Sequence, residues 1–184
     1  DLVVHHGEIL TSFWQCGELY RLDPDSLDTL GPTRWDGWFP EAGVSAHTKV
    51  DEATGELFFF NYGTEWPYLH FGCVDHTGKL VHYSPVPLPG PRLPHDMAIT
   101  EHFVVLNDLP MHWDEDLLLK GVHAVRMHDK PTRLGVVPRR GTQPLHVRDR
   151  HSGARREPVH VAPRGGRADR AERRLARGPA RPCE

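Results

Sequence analysis

The sequence has little cysteine, no long apolar run and no sign of a secretory leader. Only three cysteines occur in 184 residues, scattered and without a CxxC pair, which argues against a disulfide framework and a cysteine-rich zinc site. No apolar run approaches the roughly 20 residues that span a bilayer as a helix, so no transmembrane segment is expected. The beginning lacks a basic segment followed by an apolar stretch, so no secretory signal is expected, and the odd, scattered cysteines favour the reducing cytoplasm as the location.

Aromatic residues are missing from the last part of the chain, and acidic residues are outnumbered there by arginines. All 16 aromatic residues (5 Trp, 7 Phe and 4 Tyr) occur at or before Trp113. Residues 1–140 carry 11 basic and 20 acidic side chains, whereas residues 141–184 carry 11 arginines and 5 acidic side chains. A segment without aromatic anchors has little apolar surface to offset its chain entropy. The sequence therefore predicts a folded region over residues 1–141 and an Arg/Ala/Gly/Pro-rich tail over residues 142–184, either disordered or read out of frame.

The arginines of this tail raise the question of a nucleic-acid partner. Basic side chains bind phosphate backbones, but sequence-tolerant binding also uses aromatic side chains on which bases stack. The tail has no aromatic residue, and its arginines are interspersed with acids. No specific nucleic-acid binding is expected.

Short β-prone runs separated by turn residues dominate residues 1–140. Paired runs at residues 44–50 and 56–62, and at residues 68–74 and 79–83, are separated by acid- and glycine-containing turns, a pattern typical of hairpins, and a third pair at residues 97–100 and 103–107 follows. Gly31 and Pro32 are expected to break the chain before these hairpins. The proline-rich stretch at residues 85–94 forbids a ladder strand, and the one predicted helix is short, over residues 114–120. Hairpin pairs recur at about 48 residues, near the 40–50-residue period of propeller blades. An all-β fold is predicted, and an antiparallel sandwich is the alternative to a propeller.

Two of the 14 histidines stand out from the rest. His47 and His95 each follow a Gly- or Pro-containing approach and precede a short apolar strand. Their spacing does not fit a local zinc motif on one helix, but it fits one ligand from each of two successive blades. Neutral imidazoles leave a metal ion its full charge and open positions for a small ligand such as O₂. Such a centre needs more than two histidines, and two unrelated polar loop residues are the alternative.

Five segments resemble the carotenoid cleavage oxygenases, a family that includes lignostilbene dioxygenases. These segments are residues 20–24, 45–57, 67–75, 88–101 and 134–141. The most specific is His-Asp-Met-Ala-Ile-Thr-Glu at residues 95–101, accompanied by His-Thr-Lys-Val-Asp at residues 47–51. The resemblance implies a seven-bladed β-propeller with a non-haem Fe(II) on its axis, held by four histidines. About three blades would lie in this chain.

The resemblance also implies an activity and two metal ligands. His47 is similar to the first iron ligand of the family and His95 to the second. Enzymes of this family use O₂ to split a conjugated C=C bond of an apolar polyene or stilbene into two carbonyl products. No catalytic side chain beyond the metal ligands is expected. Lys49 and Asp51 are expected to serve the adjacent turn rather than the chemistry.

Two departures from the family pattern stay open at this point. Family members orient ligand imidazoles with glutamates; Gln15 stands where one such glutamate is expected, unless a shifted loop lets Glu18 serve. The third and fourth histidine ligands are not recognisable beyond residue 141. The alternative to an active dioxygenase is therefore an inactive, truncated propeller fragment with an incomplete iron site.

Overall fold

The computed structural model describes residues 1–140 and the backbone of residues 146–149, and almost every element is a β-strand. In chain order the elements are β1 (Leu2–His5), β2 (Glu8–Thr11), β3 (Cys16–Gly17), β4 (Tyr20–Leu22), β5 (Thr29–Pro32), β6 (Val44–Ser45), β7 (Lys49–Asp51), β8 (Glu56–Tyr62), β9 (Leu69–Val74), β10 (Leu80–Pro85), β11 (Met97–Ile99), β12 (Phe103–Asp108), β13 (Met111–Trp113), α1 (Glu115–Leu118), β14 (Val125–Met127), β15 (Arg133–Pro138) and β16 (His146–Asp149). This composition confirms the all-β prediction.

Among the described residues the strands form three four-stranded antiparallel sheets and two short strand pairs, β3 with β6 and β13 with β14. Sheet 1 has the order β1-β2-β4-β5, sheet 2 the order β7-β8-β9-β10, and sheet 3 the order β11-β12-β15-β16. The edge strands β1, β7 and β11 lie beside one another, although they belong to different sheets. This is the arrangement of successive propeller blades, each with one edge strand at a common axis. We call β1, β7 and β11 the inner strands.

Strand β8 provides the centre of the hydrophobic core, because both of its faces are covered. Residues 57–60, Leu-Phe-Phe-Phe, are fully buried. Successive side chains of a strand point to opposite faces. Phe59 accordingly contacts Trp35 on the side of sheet 1, at a ring distance of 4.6 Å, whereas Phe58 belongs to a cluster that includes Val104 of sheet 3. The two faces of sheet 2 therefore tie all three sheets together.

Most of the predicted hairpins are confirmed, with shifts of one or two residues at their ends. The predicted extended run over residues 44–50 is instead interrupted between β6 and β7, where the backbone of His47 has φ 55°. The predicted helix is present but shorter, and Asp114 caps it by accepting a hydrogen bond from the backbone N–H of Leu117 at 3.0 Å. No helix in the described part of the chain is long and apolar enough to cross a bilayer.

The predicted tail lies mostly outside the described residues. Only the backbone of β16 falls within it, and this strand pairs antiparallel with β15. The expectation of disorder or a shifted reading frame over residues 142–184 stays a prediction.

Gly72 on β9 offers a test of the close packing around Phe59. A Cβ at Gly72 would lie 2.3 Å from Cζ of Phe59 and 2.9 Å from the carbonyl oxygen of His82. We expect Gly72→Ala to lower the free energy of unfolding by about 1–3 kcal/mol, because a buried ring or a neighbouring strand must move. Gly63 has no atom within 4 Å of its ideal Cβ position, so Gly63→Ala is the matched control. Equal urea midpoints for the two variants would contradict this packing.

Candidate metal centre

His47 is held at the start of the inner strand of sheet 2. It lies between β6 and β7, and its neighbours Ala46 and Thr48 are buried. Strand β6 is itself fixed by pairing with β3, with Ser45 opposite Cys16. The left-handed backbone at His47 is a conformation that non-glycine residues seldom adopt. Such conformations persist where the surrounding structure over-determines them, often at functional sites.

His95 occupies the corresponding place in sheet 3. It follows the proline-rich stretch, and a single residue, Asp96, separates it from β11. Its backbone N–H donates to the side-chain oxygen of Asn107 at 3.2 Å. The buried Leu93, two residues earlier, donates its backbone N–H to the carbonyl of Met111 at 3.1 Å. These bonds fix the backbone that carries the exposed imidazole of His95.

The two imidazoles lie close together, as predicted from the two motifs. Their ring centroids are 4.7 Å apart, and the planes meet at 52°. Two imidazoles bound to one metal through nitrogens about 2.1 Å away have centroids roughly 4.5 Å apart at a 90° angle and roughly 5.3 Å apart at a tetrahedral angle. The separation of His47 and His95 therefore fits two adjacent ligands of one metal ion.

A carboxylate orients the ring of His47. Oδ2 of Asp1 lies 3.1 Å from Nδ1 of His47. Because a carboxylate only accepts hydrogen bonds, this contact assigns a proton to Nδ1. The neutral ring then carries its lone pair on Nε2, the form that binds a metal. Asp1 directly precedes β1, the inner strand of sheet 1. Each of the three inner strands is therefore preceded by a polar side chain of this site.

An ion pair connects two residues that lie one or two positions after the histidines. Nζ of Lys49 lies 2.8 Å from Oδ1 of Asp96. Partial burial raises the pKa of Asp96, but the hydrogen bond from Lys49, the N–H of Met97 and the charge of Lys49 outweigh it and hold the pKa below its ordinary value. The carboxylate of Asp96 is therefore ionised near neutral pH. The sequence had indicated that Lys49 serves the adjacent turn. In the structure its side chain also contacts Asp96, at the start of sheet 3.

The two candidate orienting residues, Gln15 and Glu18, have other contacts. Glu18 forms an ion pair with Arg34 and accepts a hydrogen bond from the hydroxyl of Tyr20 at 3.4 Å. Gln15 lines a cavity described below. Within residues 1–140 neither side chain forms a hydrogen bond with His47 or His95, and their roles stay predictions.

A cavity of about 270 Å³ lies beside β3, and neither His47 nor His95 is among its lining residues. Gln15, Cys16, Tyr62 and Trp113 are among its lining residues, and the ring of Trp14 meets that of Trp113 at 6.3 Å. Burial raises the pKa of the Cys16 thiol to about 11 and that of Tyr62 to about 12. Both groups are therefore uncharged at neutral pH, and the lining combines these aromatic and apolar groups with the charged Arg92.

A larger cavity, of about 620 Å³, lies elsewhere. It is lined by polar groups such as His5, Arg21 and Lys79. None of its lining residues is His47, His95 or a neighbour of either. The size of a cavity therefore does not identify the functional site of this chain.

The site contains groups that the sequence did not reveal. Asp1, Lys49 and Asp96 were not singled out as parts of the centre, because their partners are distant in sequence and no local motif marks the contact. No cluster of three or more His, Cys, Asp or Glu side chains in the described residues could hold a metal ion. Residues 1–140 thus supply two imidazoles, the carboxylate that orients one of them and the ion pair beside them.

Comparisons with known proteins agree on one family. Residues 2–162 match the family described as RPE65, retinal pigment epithelial membrane protein. A carotenoid 9,10(9',10')-cleavage dioxygenase 1 of Arabidopsis thaliana is 34% identical over 152 residues, which are 80% of this chain and 28% of that protein. A resveratrol cleavage oxygenase 1 of Aspergillus fumigatus is 33% identical over 147 residues, 78% of this chain and 29% of that protein.

A solved structure gives the same result. The lignostilbene dioxygenase of Pseudomonas brassicacearum is 32% identical, with a TM-score of 0.69 over 76% of this chain and 30% of that chain. The chain therefore spans less than a third of the length of each of these three proteins.

Proposed function

The chain belongs to the RPE65 (retinal pigment epithelial membrane protein) family of carotenoid cleavage oxygenases, and on this premise we propose that it is part of a non-haem Fe(II) dioxygenase. Its reaction is the oxidative cleavage of a conjugated C=C bond in a carotenoid, apocarotenoid or stilbene. The likeness to a solved lignostilbene dioxygenase confirms the predicted fold class. The resemblance read from five sequence segments is confirmed by the family match over residues 2–162.

One observation carries the proposal: adjacent sheets place His47 and His95 with their rings 4.7 Å apart. These two side chains would hold the iron, together with ligands outside the described residues. Imidazoles suit divalent iron, and neutral ligands leave the metal its charge. Bound iron would supply the redox chemistry that allows O₂ to react with an olefin, which protein side chains do not provide. Asp1 would orient the ring of His47.

The part of the proposal that concerns the substrate rests on the cavity of about 270 Å³ beside β3. Its walls include the rings of Tyr62 and Trp113, against which a flat, conjugated molecule can stack, together with Arg92, which can meet a polar end group. In the reaction the C=C and O–O bonds break, and two C=O bonds form, so each carbonyl product receives one oxygen atom of O₂. No proton donor or further reductant is needed for this balance. The work of the protein is to position the double bond and exclude water.

The test is a search for both carbonyl products with labelled oxygen. The chain is loaded with Fe(II) under argon and then mixed with ¹⁸O₂ and either a hydroxystilbene or an apocarotenoid. We expect two aldehydes from one of the substrates, each with one ¹⁸O atom, by mass spectrometry of samples trapped before exchange with water. Intact substrate in both reactions contradicts dioxygenase activity for this chain.

A second candidate function is favoured by the limited set of ligands. The described residues contain no group of three or more potential metal ligands, which fits an inactive propeller fragment with an incomplete iron site. This candidate expects weak, unselective metal binding at His47 and His95 and no cleavage of either substrate. The oxygen-labelling experiment therefore separates the two candidates directly.

A further inference from the structure

The two histidines depend on the relative position of two inner strands that do not pair. His47 precedes β7 and His95 precedes β11, and these strands belong to different four-stranded sheets. In residues 1–140 no backbone hydrogen bond joins residues 47–51 to residues 93–99. The distance between the two imidazoles is therefore set by side chains and by packing between sheets.

The ion pair between Lys49 and Asp96 spans this gap. Lys49 lies two residues after His47, and Asp96 directly follows His95. Their charged atoms are 2.8 Å apart. Oδ1 of Asp96 also accepts the backbone N–H of Met97 at 2.7 Å, which anchors the carboxylate to the first residue of β11. Lys49 is in turn anchored by β7, where it pairs with Phe58 of β8. Each charge is thus attached to the rigid strand next to one histidine.

We propose that Lys49 and Asp96 are positioning residues that hold His47 and His95 at the separation required for one metal ion. The proposal rests on the proposed function, because it concerns the same metal pair. The side chains of Lys49 and Asp96 are 32% and 46% exposed, and ion pairs at such positions add little to global stability. The effect of this pair is therefore local, on the distance between two rings.

The charged neighbours of the pair agree with this role. Oδ2 of Asp1 lies 3.1 Å from Nδ1 of His47, and the carboxylate of Asp96, which follows His95 in the sequence, is paired with Lys49. Each histidine thus has a carboxylate in contact with it or next to it in sequence, and Lys49 neutralises the one beside His95. Loss of Lys49 would leave Asp96 free to turn toward the imidazole of His47 or into solvent, and either movement would change the ring separation.

The experiment compares Co(II) binding and ring proximity in matched variants of the full chain. The variants are Lys49→Gln, Asp96→Asn, the double variant and Lys49→Arg, with Arg126→Gln as control. Arg126 forms an exposed ion pair with Asp114 at 2.8 Å, on the segment around α1 and away from β7. The d–d absorption of Co(II) gives metal affinity and coordination. In the metal-free chain, NMR cross-relaxation between the ring protons of His47 and His95 reports their proximity.

We expect Lys49→Gln and Asp96→Asn each to weaken Co(II) binding about tenfold, as for other groups that orient metal ligands. The double variant should be no weaker than the single ones, since both remove one interaction. Lys49→Arg should bind within about twofold of wild type, because the charge is kept. The ring-proton cross-peak should weaken in the two charge-removing variants and persist in Arg126→Gln.

Unchanged affinity and an unchanged cross-peak in Lys49→Gln and Asp96→Asn would overturn the positioning role. An equal loss in Arg126→Gln would also overturn it, because the effect would then be general. If the wild-type chain binds no Co(II), the proposed metal function fails. The cross-peak of the metal-free chain still decides whether Lys49 and Asp96 hold the two rings together, so the two failures are distinguishable.

Discussion

Alanine at His47 or at His95 is expected to reduce the affinity of the chain for Fe(II) or Co(II) by more than about a hundredfold. Removing a group that only orients a ligand costs roughly 10–100-fold in metal affinity, and removing the ligand itself must cost more. The two single variants and the double variant should bind the metal equally weakly, because a single remaining imidazole does not form a metal site. Anaerobic titration followed by Co(II) absorption measures the effect.

His102 supplies the control for this prediction. It lies in the turn between β11 and β12, and its side chain is 72% exposed. His102→Ala removes an imidazole from the same sheet without touching the pair, and we expect wild-type affinity. Metal binding that survives in His47→Ala and His95→Ala, and equals that of His102→Ala, would show that the metal binds elsewhere in the chain.

The second large effect is expected from Arg139→Ala, in the free energy of unfolding. Arg139 follows β15 of sheet 3, and its guanidinium forms ion pairs with Asp51 and Glu56 of sheet 2. It also lies over the ring of Phe58, 4.7 Å from its centre. Arg139 is 13% exposed and Glu56 only 6%. We expect a loss of about 1–3 kcal/mol, because the guanidinium of Arg139 covers the buried ring of Phe58 and is one of only two cationic partners that residues 1–140 offer the buried Glu56.

Arg140 provides a matched control on the same carboxylate. It also forms an ion pair with Glu56, but its own side chain is 66% exposed. We expect Arg140→Ala to cost less than about 1 kcal/mol, as exposed ion pairs do. Adding Glu56→Gln to Arg139→Ala should recover part of the loss, since it removes a buried carboxylate whose remaining partner, Arg140, is largely exposed. Urea unfolding of these three variants and of the wild type measures all of these changes. Similar losses for Arg139→Ala and Arg140→Ala would contradict the burial argument.

The centre of the fold could be predicted from the sequence because local signals agree there. The apolar run over residues 57–60 is bounded by an acid- and glycine-containing turn, and the structure places β8 with the predicted bounds, Glu56–Tyr62. Strands β4 and β5 were missed, since Gly31 and Pro32 indicate a chain break. Strand β5 tolerates them because it is the edge of sheet 1, where proline removes no ladder bond.

The site was predictable only in part, for a physical reason. His47 and His95 could be singled out because each stands in a recognisable motif before a strand. The residues that contact or position these histidines could not be predicted. The contacts of Asp1 with His47 and of Lys49 with Asp96 arise from the packing of separate sheets. Local spacing rules describe one strand or helix at a time, and these contacts depend on how whole sheets are placed around an axis.

The order of strands within each sheet indicates which loops can vary in length and which positions must be kept. Asp1, His47 and His95 lie at the inner strands, while β5 and β10 are the opposite edges of sheets 1 and 2. The turns that join β4 to β5 and β9 to β10 are therefore two to three strands away from the inner strands of their sheets. Lengthening or shortening these peripheral turns can diversify the rim of the molecule during evolution. A one-residue insertion between His47 and Lys49 would instead rotate the ring of His47 away from that of His95.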